Sequence, residues 1–354
     1  VFVIGKLKRP RSSPRKIERI VLLQTAAIGD TVLMAGPIQD LRNAYSDAEI
    51  ILVCGKDNRG AAALLPGIDK FVDVHPHEPV AALMCLRSLK PDLVIDFGPW
   101  PRINALLTAL SGASYSVGFR SDGQHRHFAY DSVVDHSRDR HELDNQRALV
   151  AAVMDGSEHS EPQLQVLGAR AEWLDSGNFI VFHAWASGFQ KRLKEWPIEH
   201  WVELARWATD CGYEIALTGG PADTEDSGGL EAAIRSEVPS ANVRNYTGTL
   251  SLAHTCQLLT AATAVVSVNT GIMHIAALLD VLTIGICGPT SPKRWGPLGS
   301  RAVAVAPPGD DHGYLHLGFE FPRDAQPCMP RVTPQRVIDA LEGELTEQKF
   351  GRQA

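Results

Sequence analysis

The sequence predicts an α/β protein made of two doubly wound parallel sheets. Three observations lead there: short apolar runs alternate with amphipathic stretches, the alternation restarts after a polar interval at 155–178, and 354 residues suit two domains of about 150 to 200 residues each. The first half opens on Arg19-Ile20-Val21-Leu22-Leu23-Gln24, a buried-strand run, followed by a small-residue turn through Gly29-Asp30. Val32, Leu33, Ile38, Leu41 and Tyr45 then recur at helical spacing, so one helix is expected over them. Strands are expected at 49–54, 71–74, 92–97 and 116–119, with helices near 79–89 and 101–111. The second half repeats the alternation, with strands at 179–182, 214–218, 264–268 and 283–287. Helices are expected at 198–210, near 229–236, at 251–262 and from 271 to 279. A last helix at about 334–346 starts after Thr333-Pro334, a cap followed by a first-turn proline. The expected divisions are a basic tail (1–18), a first domain (19–165), a second domain (166–333) and a terminal helix with its tail (334–354).

Composition narrows the function. Hydrophobic residues are 44% and charged residues 21%, the balance of a soluble globular chain, and no run reaches the roughly 20 apolar residues of a membrane-spanning helix. No secretory signal pattern is visible at the start. The net charge of -7 disfavours general nucleic-acid binding. Six scattered cysteines without a C-x-x-C pair argue against a disulfide framework or a zinc site, and for a reducing cytoplasm. Lys6, Lys8, Arg9, Arg11, Arg15, Lys16 and Arg19 face a single acid, Glu18, in the opening segment. The plain reading is a solvated tail; the sharper one is a tether to anionic lipid and so peripheral contact with the inner membrane.

Two doubly wound domains bind ligands in the cleft outside the carboxyl ends of their strands, so the residues just after strands carry the functional reading. Asp30, at the mouth of a helix, is either a helix N-cap or a general base for an acceptor hydroxyl. Ser187-Gly188 through Lys191-Arg192-Leu193-Lys194 is a basic loop after a strand, either solvated or suited to the charge that grows on a leaving diphosphate. Asn269-Thr270-Gly271 ends a buried strand and opens a helix, a place suited to phosphate, with His274 one turn in as structural hydrogen-bonder or ligand contact. The loop Gly219-Gly220-Pro221-Ala222-Asp223-Thr224-Glu225 offers acids to ribose hydroxyls or to a helix cap. Patterns of serine hydrolases, P-loop nucleotidases and zinc peptidases are missing, as is a dinucleotide fingerprint after the first strand. No D-x-D between strands suggests a metal-held diphosphate, so lysine and helix amides would hold it and no metal is expected.

In order, Gly29-Asp30, Val117-Gly118-Phe119, His141-Glu142-Leu143-Asp144-Asn145, Lys194-Glu195-Trp196-Pro197, Gly219-Gly220-Pro221-Ala222, Asn269 through Ala277, Gly288-Pro289-Thr290 and Cys328-Met329 resemble glycosyltransferase family 9, the ADP-heptose lipopolysaccharide heptosyltransferases. The resemblance runs from about Arg19 to Leu345. It implies a GT-B fold, two Rossmann-like domains facing across a cleft, and inverting, metal-independent transfer of a heptose or related sugar from an ADP-linked or other nucleotide-diphosphate donor. The acceptor would be a saccharide, lipid-linked or not, or another hydroxyl compound. It further implies Asp30 as catalytic base, Lys194 on the donor diphosphate, Glu225 near the donor ribose, and the Thr249-Leu250-Ser251 backbone at the base, so that Leu250 counts among the donor contacts. Ser187, Asn269, Thr270, Gly271 and His274 belong to the donor side, and Arg120 and Arg126 fall where acceptor-side cations are expected. Family members commonly carry Asp in place of Asn269, and Pro-Gly-Ala-Ser where Ala184-Trp185-Ala186-Ser187 stands here. Trp185 would stack on a sugar or base, or fill the core. Two other readings stay open: a nucleotide-sugar epimerase on the same architecture, and a non-catalytic nucleotide-sugar-binding subunit.

Overall fold

The structure is a computed structural model describing residues 11–14, 16–154, 159–169, 178–315, 317 and 321–351. Two compact units divide the chain, one through Gln165 and one from Val166 onward. The first carries β1 (Arg19–Gln24), α1 (Ile28–Leu33), α2 (Ala35–Ala44), β2 (Glu49–Cys54), α3 (Arg59–Ala62), β3 (Lys70–Asp73), α4 (Pro79–Ser88), β4 (Leu93–Asp96), α5 (Arg102–Leu110), β5 (Tyr115–Arg120), β6 (Ser132–Asp135) and α6 (Glu142–Ala151). Its strands are all parallel in the order β3-β2-β1-β4-β5-β6.

The continuous apolar run of β1 is explained by cover on both faces. Ile20 and Leu22 pack with Met34, Ile38, Leu41, Leu149 and Val150, whereas Val21 and Leu23 pack with Ala82, Leu86 and Leu107. Side chains alternate across a strand, so each face needs its own layer of helices. Each such aliphatic side chain contributes about 1.5–3 kcal/mol on burial. The single helix expected over Val32–Tyr45 is instead two, α1 and α2, divided at Met34. The restart places Pro37 in the first turn of α2, where its missing N–H leaves no ladder bond unmade.

The second unit carries β7 (Phe179–His183), α7 (Ile198–Asp210), β8 (Glu214–Leu217), α8 (Thr224–Glu237), β9 (Val243–Asn245), α9 (Leu252–Ala261), β10 (Ala264–Val268), α10 (Gly271–Leu278), β11 (Thr283–Ile286), α11 (Pro292–Trp295), β12 (Ala302–Val305) and α12 (Pro334–Gly351). Its sheet is again parallel, in the order β12-β11-β10-β7-β8-β9. Counted from each unit's first strand, the two windings are the same. In both, the chain leaves that strand to one side and returns to the other. The strand order therefore reverses between β1 and β4 in the first unit and between β7 and β10 in the second. These are the topological switch points, where α/β sheets open a crevice for ligands.

The terminal helix α12 belongs to the second core, where Val337, Ile338 and Leu341 pack with Trp196 and Trp201. Three short strands, β6, β9 and β12, were not anticipated from the sequence; they are outermost in their sheets and partly exposed. Of the expected linker, 155–158 and 170–177 lie outside the described residues. The part between is held: Ser160 N donates to Asp40 Oδ1 at 2.6 Å, Gln165 N to Leu64 O at 2.9 Å, and Gln257 Nε2 to Leu167 O at 2.8 Å. Of the basic opening stretch, residues 1–10 and 15 lie outside the described residues. Arg11 is not a loose cation, since its guanidinium donates to Ala113 O and to both carboxylate oxygens of Asp131. Among the described residues no helix is long and apolar enough to cross a membrane.

Candidate active site

At the first switch point the chain leaves β1 through Thr25 and enters α1 on Ala27, whose φ of 64° is unusual for a residue with a Cβ. Such a conformation costs on the order of 1–3 kcal/mol and persists only where its surroundings enforce it. The surroundings here are specific. Thr31 donates from N and Oγ1 to Ala27 O, and Asn58 Nδ2 donates to Gln24 O at 2.9 Å and Thr31 Oγ1 at 2.8 Å. Gln146 Nε2 donates to Asp30 O at 2.8 Å. Ala27 is the N-cap, so Asp30, in the first turn, is not the cap that one reading of the sequence made it. Its side chain is half-buried beside the switch point.

The His141–Asn145 motif explains how Gln146 reaches that turn. His141 caps α6 by accepting from Leu143 N at 3.1 Å, and Glu142 is buried against His136 Nε2 at 3.1 Å. Asn145 accepts from Ser137 N and donates to Ser137 O. The start of α6 is thereby fixed to the end of β6, and Gln146, fully buried, is delivered to the Asp30 turn.

Beside it, across the β1/β4 pair, lies a cluster that the sequence did not announce. Asp96, Arg126 and Tyr130 are almost wholly excluded from solvent. Arg126 donates to Asp96, to Gly98 O and to Tyr130 Oη, and Tyr130 Oη donates to Asp96 Oδ2 at 2.6 Å. Gly98 N donates to the other carboxylate oxygen at 3.1 Å. Burial raises the Asp96 carboxyl pKa, and Arg126, Tyr130 and the Gly98 amide oppose it. Arg126 was expected among acceptor-side cations. That expectation is corrected here: its guanidinium is 0% exposed and its bonds go to the protein. Arg120, at the end of β5, remains at the surface, paired with Asp135 at 2.9 Å. The one signal that could have revealed the cluster is Gly118: a Cβ there would lie 2.3 Å from the Tyr130 ring. The Val-Gly-Phe motif is the imprint of that ring.

In the second unit the basic loop follows β7. Its three cations are held in different ways. Lys191 lies 3.5 Å from Asp226, 3.6 Å from Asp223 and 3.9 Å from Glu195, and Arg192 pairs with Asp226 at 2.8 Å and Glu195 at 3.2 Å. Lys194 is set apart from them: its Nζ donates to Ser187 O. Burial lowers its pKa, and Glu195 opposes that. Ser187 is exposed. Trp196, next in the motif, donates from Nε1 to Val332 O at 2.7 Å and is 3% exposed. Trp185 fills the core, 6% exposed; a Cβ on Gly219 would come within 2.8 Å of its ring, which is why that loop begins with glycine. His183, at the end of β7, shares a 3.0 Å hydrogen bond with Thr218 Oγ1, and burial pushes its pKa down to about 4.

On the other side of this switch point, β10 ends at Val268 and is followed by Asn269. Its amide donates to Trp295 O at 2.8 Å and lies 3.5 Å from Cys287 Sγ, tying the strand end to α11. A carboxylate could not donate there, which gives Asn269 a structural role that the sequence did not reveal. Thr270 is the N-cap of α10 and makes no side-chain cap bond; Gly271 opens the helix half-buried. His274 is 2% exposed, so it is not displayed as a surface contact. Leu250 is half-buried just before α9, whose cap Ser251 accepts from His254 N. Glu225 is exposed in the first turn of α8, where Asp223 is the N-cap. Ser187 and Lys194 thus come after β7, and Asn269, Thr270 and Gly271 after β10, the two strands that flank one switch point; Asp30 comes after β1 at the other. Among the described residues no three acidic, histidine or cysteine side chains cluster as a metal site would require.

Solved structures that superpose on this chain include heptosyltransferases. The E. coli ADP-heptose lipopolysaccharide heptosyltransferase II superposes with a TM-score of 0.76 at 23% identity, over 94% of this chain and 99% of that one. The E. coli heptosyltransferase WaaC with ADP gives 0.72 at 21% identity, over 92% and 99%. The architecture is therefore the GT-B fold of that class. The model of glycosyltransferase family 9 (heptosyltransferase) matches residues 86–311, and the chain belongs to this family. Lipopolysaccharide heptosyltransferase 1 of Pseudomonas aeruginosa is 25% identical over 92% of this chain and 98% of its own. Lipopolysaccharide heptosyltransferase 2 of Salmonella typhimurium is 32% identical over 161 residues, so the aligned stretch spans 44% of that relative's length.

Proposed function

We propose that the protein transfers a heptose or related sugar from an ADP-linked donor to a hydroxyl of a lipopolysaccharide-type saccharide, with inversion and without a metal. The acceptor hydroxyl gives its proton to Asp30 and its oxygen attacks the anomeric carbon from the face opposite the diphosphate. The bond to the diphosphate breaks and the leaving group departs with the electron pair. Lys194 and the first-turn amides of α10 stabilise the charge that develops on it. Ser187, Leu250 and Glu225 complete the donor side, and Arg120 stands on the acceptor side. A nucleotide sugar and a lipid-linked core saccharide at the cytoplasmic face are the partners this reading implies. Family membership supports it, and so do the relatives named as heptosyltransferases. The observation that carries the catalytic assignment is Asp30 itself, a half-buried carboxylate whose backbone carbonyl is fixed by Gln146.

The test is Asp30→Asn. Removing a general base costs about 10²–10⁴-fold in turnover. The variant should lose transfer to that extent, scored by mass spectrometry of the saccharide product, while calorimetric affinity for ADP stays unchanged. Near-normal transfer would remove Asp30 from the mechanism. A chelator should leave the wild-type rate intact, and donor incubated alone should yield no epimer.

A further inference from the structure

The segment Gly98-Pro99-Trp100-Pro101 follows β4 directly and borders the first switch point. It is held from several directions. Gly98 O accepts from Arg126 and Gly98 N donates to Asp96. Pro99 O accepts from Ser121 Oγ, and Pro101 caps α5. Phe97 N donates to Leu23 O at 3.0 Å. Asn104 accepts from Thr25 Oγ1 at 3.2 Å, and its Nδ2 would lie 3.0 Å from a Cβ on Gly98. The two carbonyls preceding Trp100 are therefore both fixed, prolines flank it, and the loop is coupled through Asn104 to the turn that leads to Asp30. Trp100 itself is half-buried.

A buried ion pair is poor value as a source of stability, because desolvation offsets most of its attraction. Asp96 and Arg126 are both 0% exposed, and a phenol completes the set. What the arrangement does supply is position: three side chains fix a four-residue loop that Asn104 and Thr25 couple to the turn before the proposed base. Partly open aromatic faces held rigid by their backbone bind ring-shaped ligands without losing side-chain freedom, and sugar C–H faces are such ligands. Among the described residues, Gln24 Nε2, Asn104 Nδ2 and Gln146 Oε1 are also buried with no hydrogen-bond partner, a surplus of polarity around the same turn.

We infer that Trp100 is a platform for a pyranose ring of the acceptor saccharide, and that Asp96, Arg126 and Tyr130 are positioning residues that hold it in place for the hydroxyl activated by Asp30. The inference rests on the glycosyl-transfer reading above.

Trp100→Ala should raise the acceptor KM by at least about tenfold, the scale of losing one central aromatic contact, with ADP affinity unchanged. Trp100→Phe should restore part of it. Tyr130→Phe removes the hydroxyl shared by Asp96 and Arg126. It should raise the acceptor KM while leaving ADP affinity unmoved, a split that a general loss of folding would not give. A readout independent of turnover is tryptophan emission on adding deacylated core oligosaccharide from heptose-deficient lipopolysaccharide: wild type should respond and Trp100→Phe should not. An unchanged acceptor KM in Trp100→Ala, with transfer running normally, overturns this inference alone. Absence of ADP binding and of transfer in the wild type would instead overturn the functional reading beneath it.

Discussion

The two switch points share one winding and are built by opposite means. In the first unit the turn that carries Asp30 is braced by uncharged amides, Asn58 and Gln146, and the neighbouring loop by a buried ionic cluster. Asn58, Gln146 and Arg126 are all side chains reaching from other elements. In the second unit the groups proposed to work are backbone amides of α10 and one lysine, while Lys191 and Arg192 are offset by Asp223, Asp226 and Glu195. The difference follows from what each side is proposed to handle. A carboxylate that must accept one proton needs position in a fixed frame. A site for a dianionic leaving group needs donors of positive potential, and a helix start supplies these from its backbone.

The largest expected effect that would break this comparison is Arg126→Met. It strands Asp96 without its partner in a solvent-free position, so unfolding free energy should fall by about 3–5 kcal/mol in chemical denaturation. A loss under 1 kcal/mol would mean that the cluster is not a buried brace. Next is Lys194→Met, which removes one charge-stabilising donor. A decrease of about 10²–10³ in kcat with an unchanged melting temperature is expected. If Arg192→Met produced the larger decrease, the division of labour among the loop cations would be reversed. Gly118→Ala is smaller. Its Cβ would overlap the Tyr130 ring, and overpacking of that kind costs about 1–3 kcal/mol.

The smallest effect concerns pH. His183 has a folded-state pKa near 4, below the ordinary histidine value of 6.5, because burial disfavours its cation. The unfolded chain therefore takes up a proton near 6.5 that the folded chain refuses until about 4. The contribution is fully present above pH 6.5 and is lost as the pH falls toward 4. Denaturation at pH 7.5 and pH 5 should show a smaller acid loss in His183→Asn than in wild type. Equal losses would contradict the assignment.

Fold and site were unequally readable from sequence. Central strands such as β1 and β10 announce themselves because cover on both faces demands unbroken apolar runs. The outer strand β9 has three residues and one buried side chain, so no pattern could mark it. Asp30 and Lys194 stand out because they follow strands. Arg126 misled, since its burial depends on Asp96, 30 residues earlier, and on a ring above Gly118. Lys191 and Arg192 misled for a related reason: besides the nearby Glu195, they are paired with Asp223 and Asp226 of α8 and its cap, more than 30 residues downstream. Charges that lie close in sequence reveal nothing of partners brought in by the fold.

The bond from Trp196 Nε1 to Val332 O gives the approach to α12 a say in the proposed donor site. Val332 sits two residues before α12, and that helix rests on Trp196 and Trp201. The lysine two positions upstream of Trp196 is thus seated, at one remove, on α12. Deleting α12 would leave every strand of both sheets in place and withdraw support from the loop proposed to meet the nucleotide.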